Sequence, residues 1–160
     1  MFWKNPTPRG LDFSFFNCDK MKKVYFCDYY ENDNTMTTGN KPLILVVDDI
    51  STNNILIKAI LRGFEYEVIS AQSGTEALEI AEKNHPDLIL LDIMMPVMDG
   101  YEVLARLRAN EKTKDIKVVM LSALADQEDI QNAMNLGADG YLTKPVVSAA
   151  LLETLDKYFK

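Results

Sequence analysis

The sequence predicts an α/β protein, a doubly wound sheet of five parallel strands with helices on both faces. Three observations carry that prediction. From Lys41 to Lys160, short apolar runs alternate with stretches of helical periodicity, strand then helix, five times over; such alternation builds a parallel sheet covered by helices. Two of the runs, Leu43–Val47 and Leu88–Leu91, are apolar without a break, as strands buried on both faces must be. A stretch of this length can also build a core without metals or disulfides.

The elements follow in order. Leu43–Val47 is the first strand, and Asn53–Leu61 carries apolar residues at helical spacing until Gly63 stops it. Tyr66–Ser70 alternates as the second strand. Ser73-Gly74-Thr75-Glu76 reads as a capping box, in which the serine side chain accepts from a free helix N–H while the glutamate reaches back. It opens a helix with Ala77, Leu78 and Ala81 inward and Glu79/Lys83 paired at i,i+4. Asp87–Leu91 is the third strand, followed by a Gly100–Asn110 helix with a second such pair, Glu102/Arg106. Ile116–Leu121 is the fourth strand, and Asp126–Leu136 is a helix capped by Asp126 and stopped by Gly137. Asp139–Leu142 is a short fifth strand and Ser148–Phe159 the last helix. An ending on the fifth helix predicts that no output domain follows.

Residues 1–40 read differently. They hold 9 of the 15 aromatic residues and both cysteines, show no sustained period, and end in the polar run Glu31–Asn40. They are expected to form an irregular, poorly ordered extension ahead of the 41–160 domain. Their five basic and five acidic residues cancel, so the whole formal charge of −7 belongs to the domain. That balance argues against direct nucleic-acid binding, which needs clustered positive charge. No apolar run approaches the ~20 residues that span a bilayer, so no membrane association is expected. No basic start precedes an unbroken apolar segment, which argues against a secretory signal. Cys18 and Cys27 are too few for a disulfide scaffold and fit a reduced, cytoplasmic setting. The single histidine, His85, rules out a multi-histidine metal site within one chain.

The acids mark the site. Ligands of open α/β sheets bind at the carboxyl ends of the strands. Asp48 and Asp49 follow the first strand, Asp92 the third, Ser122 the fourth, and Lys144 the fifth, just before Pro145. If the first and third strands are neighbours, three carboxylates crowd one edge at ~5 Å strand spacing. Crowded carboxylates repel and raise a pKa unless neutralised. A hard divalent cation relieves this, and an all-oxygen donor set suits Mg2+. Lys144 adds a point charge suited to phosphate, and Ser122 a hydroxyl donor.

Val46-Val47-Asp48-Asp49, the run from Leu90 through Asp92 to Met94-Met95-Pro96-Val97-Met98-Asp99-Gly100, Ser122-Ala123, and Tyr141-Leu142-Thr143-Lys144-Pro145 together resemble a response-regulator receiver domain of the stand-alone, chemotaxis-regulator-like kind. The resemblance covers Lys41–Lys160. It implies a flavodoxin-like sheet with strand order 2-1-3-4-5 and a phosphorylatable switch of two-component signalling or a phosphorelay. It implies Asp92 as phosphoacceptor and Mg2+ held by Asp48, Asp49, Asp92 and the Met94 carbonyl. It further implies Lys144 and Ser122 on the phosphoryl group, Tyr141 as an aromatic switch, and a cis Lys144–Pro145 peptide. The implied partners are a sensor histidine kinase or histidine phosphotransfer protein and a downstream protein target. The chain would not be an enzyme beyond assisting its own phosphorylation and dephosphorylation. Residues 1–40 match nothing in the pattern.

Other readings are weaker. Asp48 and Asp49 alone would cap a helix, Lys144 alone would be a solvated lysine, and Tyr141 alone half-buried packing. The three loop methionines Met94, Met95 and Met98 read as adaptable packing. No Gly-rich phosphate loop or kinase pattern is present, so the phosphoryl donor is another molecule. His85, before Pro86 at a helix–strand turn, is a poor phosphohistidine. Two repelling aspartates stand where an electron carrier or dehydrogenase would cradle phosphate, and Asp48-Asp49-Ile50 lacks the Asp-x-Asp pattern of an aspartate phosphatase. The alternative kept is a phosphorelay intermediate, or the receiver portion of a hybrid kinase, passing the phosphoryl group to a histidine phosphotransfer protein.

Overall fold

The computed structural model describes residues 41–123 and 126–160; the expected extension over residues 1–40 lies outside them. The elements run β1 (Leu43–Val47), α1 (Ser51–Leu61), β2 (Glu67–Ala71), α2 (Gly74–Asn84), β3 (Leu88–Asp92), α3 (Gly100–Ala109), β4 (Lys117–Ser122), α4 (Gln127–Asn135), β5 (Gly140–Thr143) and α5 (Ser148–Phe159). All pairings are parallel, in the order β2-β1-β3-β4-β5. The doubly wound sheet and its strand order are therefore as expected.

Alternation along the strands splits the core into two layers. Leu45, Val47, Ile89, Leu91, Val118 and Met120 pack with residues of α2, α3 and α4, among them Ala77, Ala81, Leu104, Leu107 and Ala133. Ile44, Val46, Leu88, Leu90, Val119 and Leu121 face the other way, against Ile57 and Leu61 of α1 and Leu151 and Leu155 of α5. Burying each large aliphatic side chain is worth about 1.5–3 kcal/mol, so the uninterrupted apolar strands follow from being covered twice.

The helix ends are built by the residues that announce them. The Ser73 side chain accepts from the Glu76 N–H, and the Glu76 carboxylate accepts from the Gln72 N–H. Asp99 caps α3 through the Glu102 N–H, and Asp126 caps α4 through the Asp129 N–H. Gly137 has φ +94, with bonds from Gly137 N to Met134 O and from Ala138 N to Ala133 O closing α4; that pairing is the Schellman stop, whose left-handed residue suits glycine. His85 is the left-handed cap of α2, at φ 46.

Several boundaries differ from expectation. The first helix starts at Ser51 rather than Asn53, and the second strand runs one residue later, over Glu67–Ala71. Asp92 and Ser122 do not follow their strands but end them, because the ladder continues through them: Asp92 pairs with Leu121 and Ser122 with Thr143.

Candidate functional site

β1 and β3 are neighbours, with Val47 opposite Leu91. Asp48 and Asp49, just past β1, therefore lie beside Asp92 at the end of β3, and the three carboxylates each place an oxygen within 4.8 Å of the others. Ser122 ends β4 and Lys144 follows β5, where the Lys144 N–H donates to the Ser122 carbonyl at 2.7 Å. The candidate residues thus converge on the carboxyl edge of the sheet. The Lys144–Pro145 peptide is cis.

Asp48 is fully buried, Asp92 and Ser122 nearly so, and Asp49 is half-buried. Lys144 bridges the two buried acids, with Nζ 2.6 Å from Asp48 Oδ2 and 3.0 Å from Asp92 Oδ1. Asp92 Oδ1 also accepts from the Met94 N–H at 3.3 Å. Burial pushes the Asp92 carboxyl above its usual range; Lys144 and the Met94 N–H oppose the rise, while the Asp48 charge adds to it. Burial acts on Lys144 in the opposite sense, drawing its ammonium down, but its hydrogen bonds and charge pairing with Asp48 and Asp92 outweigh that, so its pKa is raised. Lys144 therefore stays charged at neutral pH.

This donor set fits a divalent metal. Three carboxylates and one ammonium carry a formal charge of −2, which a divalent cation cancels. The ligand atoms available are oxygens, which favours Mg2+ over softer metals. Met94 lies in the loop after β3 with its side chain largely exposed, leaving the thioether outside any buried donor cluster. Asp48 does not cap α1: the cap residue is Ile50, which lacks a side-chain cap bond, and the Ile50 N–H donates to Asp48 Oδ1 at 2.9 Å.

Gly100 packs against the backbone of Asp92 and Ile93. A Cβ there would overlap the Asp92 carbonyl oxygen and lie 2.8 Å from the Ile93 Cα. Tyr141 pairs with Met120, two residues before Ser122 on the same face of the sheet, and packs against the layer covered by α2, α3 and α4. Asn53 and Asn54 were not singled out from the sequence. The Asn53 amide donates to both Asp48 carboxylate oxygens, at 3.1 and 3.0 Å, and the Asn54 amide donates to the Asp48 and Ala71 carbonyls at 2.9 and 3.2 Å. Two polar residues at the start of a helix carry no signal for such contacts.

A cavity of about 70 Å³ adjoins the acids, lined by Leu56, Ile57, Pro145 and Val146 along with Asp48, Asn53 and Lys144. Around this end of the sheet Ile50, Leu56, Met94, Val97 and Val147 are exposed apolar side chains. Among the described residues no helix is long and apolar enough to cross a membrane.

Residues 44–156 match the family model described as response regulator receiver domain. Over 105 residues the chain is 44% identical to "Probable transcriptional regulator ycf27" of Porphyridium aerugineum; the match takes in 66% of this chain and 42% of that protein, so the chain spans under half the length of that relative. Among solved structures, the chemotaxis protein CheY4 of Vibrio cholerae superposes with a TM-score of 0.70 at 34% identity, covering 74% of this chain and 98% of that one. The receiver domain of a Pseudomonas aeruginosa sensor histidine kinase, with a magnesium ion coordinated in its active-site cleft, superposes with a TM-score of 0.67 at 35% identity, covering 73% of this chain and 96% of that one.

Proposed function

The chain belongs to the response-regulator receiver family, and from that premise we propose that it is a phosphorylatable switch. In this reading Asp92 takes a phosphoryl group from the phosphohistidine of a sensor kinase or phosphotransfer protein in the cytoplasm. The observation that carries it is Lys144 bridging Asp48 and Asp92 at 2.6 and 3.0 Å inside a cluster of three acids. Mg2+ would be held by Asp48, Asp49, Asp92 and the Met94 carbonyl. When bound it supplies positive charge that offsets the phosphoryl oxygens.

The chain's own residues do the rest. An Asp92 carboxylate oxygen attacks phosphorus in line, the P–N bond to the donor imidazole breaks, and the imidazole keeps the electron pair. The product is an acyl phosphate on Asp92. Such transfers have a loose transition state, so catalysis is positioning plus charge stabilisation. Lys144, already on Asp92, turns its ammonium to a phosphoryl oxygen. The Ser122 hydroxyl donates to another. A charge-assisted bond of this kind is worth about 1.5–3 kcal/mol, enough to bias a two-state element. Tyr141, on the same face as Ser122, turns inward in response, and the surface of α4, β5 and α5 changes for a downstream protein.

The test is labelling with acetyl phosphate and Mg2+. Wild type gains ~80 Da, the mass of one phosphoryl group replacing a proton, and Asp92→Asn gains nothing. Equal labelling of the two proteins refutes the assignment, and undiminished labelling in excess chelator refutes the metal. The similarity to a sensor-kinase receiver supports a second reading, a relay step in which a histidine phosphotransfer protein removes the label. Retention of the label in its presence argues for the terminal switch.

A further inference from the structure

We infer that Asn53 is a positioning residue for metal binding: its amide holds the Asp48 carboxylate in place within the acidic cluster. The inference rests on the reading above, in which Asp48 helps to hold Mg2+. Asp48 is fully buried, and a buried charge must be held by several donors. Its Oδ1 accepts from the Ile50 N–H at 2.9 Å and from Asn53 Nδ2 at 3.1 Å; its Oδ2 accepts from Asn53 Nδ2 at 3.0 Å and from Lys144 Nζ at 2.6 Å. A carboxylate offers about four lone-pair sites, so a cation on Asp48 takes the place of one of these contacts.

The four contacts are not equivalent. Lys144 is shared with Asp92 and is the group that turns to the phosphoryl oxygens. When it does, Asp48 keeps only the Ile50 N–H and Asn53, while Asp49 and Asp92 still lie close enough to repel it. The Ile50 N–H touches one oxygen and leaves the carboxylate free to swing; the Asn53 amide spans both oxygens and stops it. Asn53 is itself fixed, in the first turn of α1, with its N–H on the Ile50 carbonyl at 3.0 Å. Asn54 beside it pins the Asp48 main chain. The chemistry of the holder matters too. An amide carries no net charge, so it fixes the carboxylate and leaves the full negative charge for a cation, whereas an ammonium at this position would fix it and repel the metal.

Groups that orient metal ligands typically cost about 10–100-fold in metal affinity when removed. The experiment is a calorimetric Mg2+ titration of the full chain as wild type, Asn53→Ala, Asn53→Gln and Thr113→Ala. The last removes a buried hydroxyl bonded to the Leu107 carbonyl between α3 and β4, and so controls for lost stability. Asn53→Ala is expected to weaken Mg2+ binding about tenfold or more, Asn53→Gln to recover part of the loss, and Thr113→Ala to leave binding unchanged. The wild-type protein gives a readout that needs no variant: the Asn53 side-chain amide resonances should move as Mg2+ is added. Unchanged or tighter binding in Asn53→Ala, or amide resonances that stay still while wild type binds Mg2+, overturns this inference alone. Absence of Mg2+ binding by wild type overturns the metal reading and this inference with it.

Discussion

Replacing Arg108 with methionine should remove a large share of the stability of this domain without touching its chemistry. Arg108 sits in the last turn of α3, and its guanidinium binds four acceptors from two segments, the one before β4 and the one before β5. Nε donates to the Gly137 carbonyl at 2.9 Å, Nη1 to the Lys114 and Ile116 carbonyls at 2.8 and 2.9 Å, and Nη2 to Asp139 Oδ2 at 2.9 Å. Asp139 also accepts from the Val118 N–H and Lys117, and its carbonyl accepts from the Tyr158 hydroxyl. The amino ends of β4 and β5 are thus tied to α3 and α5 through two side chains. The bonds to Gly137 and Lys114 lie at exposed positions, where water can replace them; those to Ile116 and Asp139 are partly buried. Two hydrogen bonds from a charged donor are worth about 3–6 kcal/mol together. Freeing the guanidinium returns about 2 kcal/mol of rotamer entropy. Side chains about a fifth exposed (21% and 22%) lose a further part to solvent screening. The net expectation is about 2–3 kcal/mol, and methionine keeps the apolar stem packed, so little of it is lost packing. With a urea slope of about 2 kcal/mol per M, the midpoint should fall by about 1–1.5 M. A double-mutant cycle with Asp139→Asn should return a coupling of about 1 kcal/mol. Labelling at Asp92, at the other end of the sheet, should stay as in wild type. A midpoint shift under about 0.3 M, or a cycle that is additive, refutes the latch.

Gly100→Ala should destabilise by about 3 kcal/mol or more and depress labelling, because the new methyl meets the Asp92 carbonyl oxygen and main chain that cannot retreat; a wild-type melting temperature refutes the overlap. Tyr158→Phe should cost about 1 kcal/mol at neutral pH, from the lost bond to the Asp139 carbonyl. Burial, then the Asp139 charge, raises the Tyr158 pKa, with Lys117 opposing. A raised folded-state pKa means that the folded protein keeps the proton longer than the unfolded chain, so this stability is present below about pH 10 and is lost as pH rises through the folded value. The variant should therefore show a shallower loss of stability between about pH 9 and 11, with Tyr66 and Tyr101, raised in the same direction by burial, keeping a residual slope. Urea midpoints across that range check it, and an unchanged slope refutes the assignment.

What was legible followed from groups whose role is written in one residue. Ser73, Asp126 and Gly137 each declare a helix end by their own chemistry, and each forms the cap or stop expected of it. The acids were legible because carboxylates at several strand ends have few structural explanations. Where the reading slipped, the deciding contacts belong to the main chain or to distant partners. Asp92 and Ser122 look like loop residues by polarity, yet their backbone stays in the ladder opposite Leu121 and Thr143. Arg108 was read only as a helix residue, because three of its four acceptors are carbonyls, which every residue carries. Asn53 looks like a solvated helix residue until the loop after β1 places Asp48 against it. Strand order, too, is absent from alternation alone; it came from the resemblance and stands in the sheet as observed.

The two ends of the sheet divide the work. At the amino ends of β4 and β5, Arg108 and Asp139 satisfy one another and the surrounding main chain, with opposite charges paired and carbonyls occupied. At the carboxyl ends, three acids face one lysine, and burial works against the ionisation of Asp92. A sequence selected only for stability would not keep like charges together where water is excluded; such local conflicts concentrate at functional sites. The conflict also explains how the site can switch. Lys144 is divided between two carboxylates, so in the proposed switch a phosphoryl group on Asp92 would compete for a partner that is already shared. The amino end then serves as the frame, because the chain is anchored at Asp139, just before β5, while Thr143 ends the strand and Lys144 follows it. In the proposed switch, movement of Lys144 and Ser122 would then be confined to the carboxyl edge and to the face of Tyr141, instead of spreading into a general loosening of the fold.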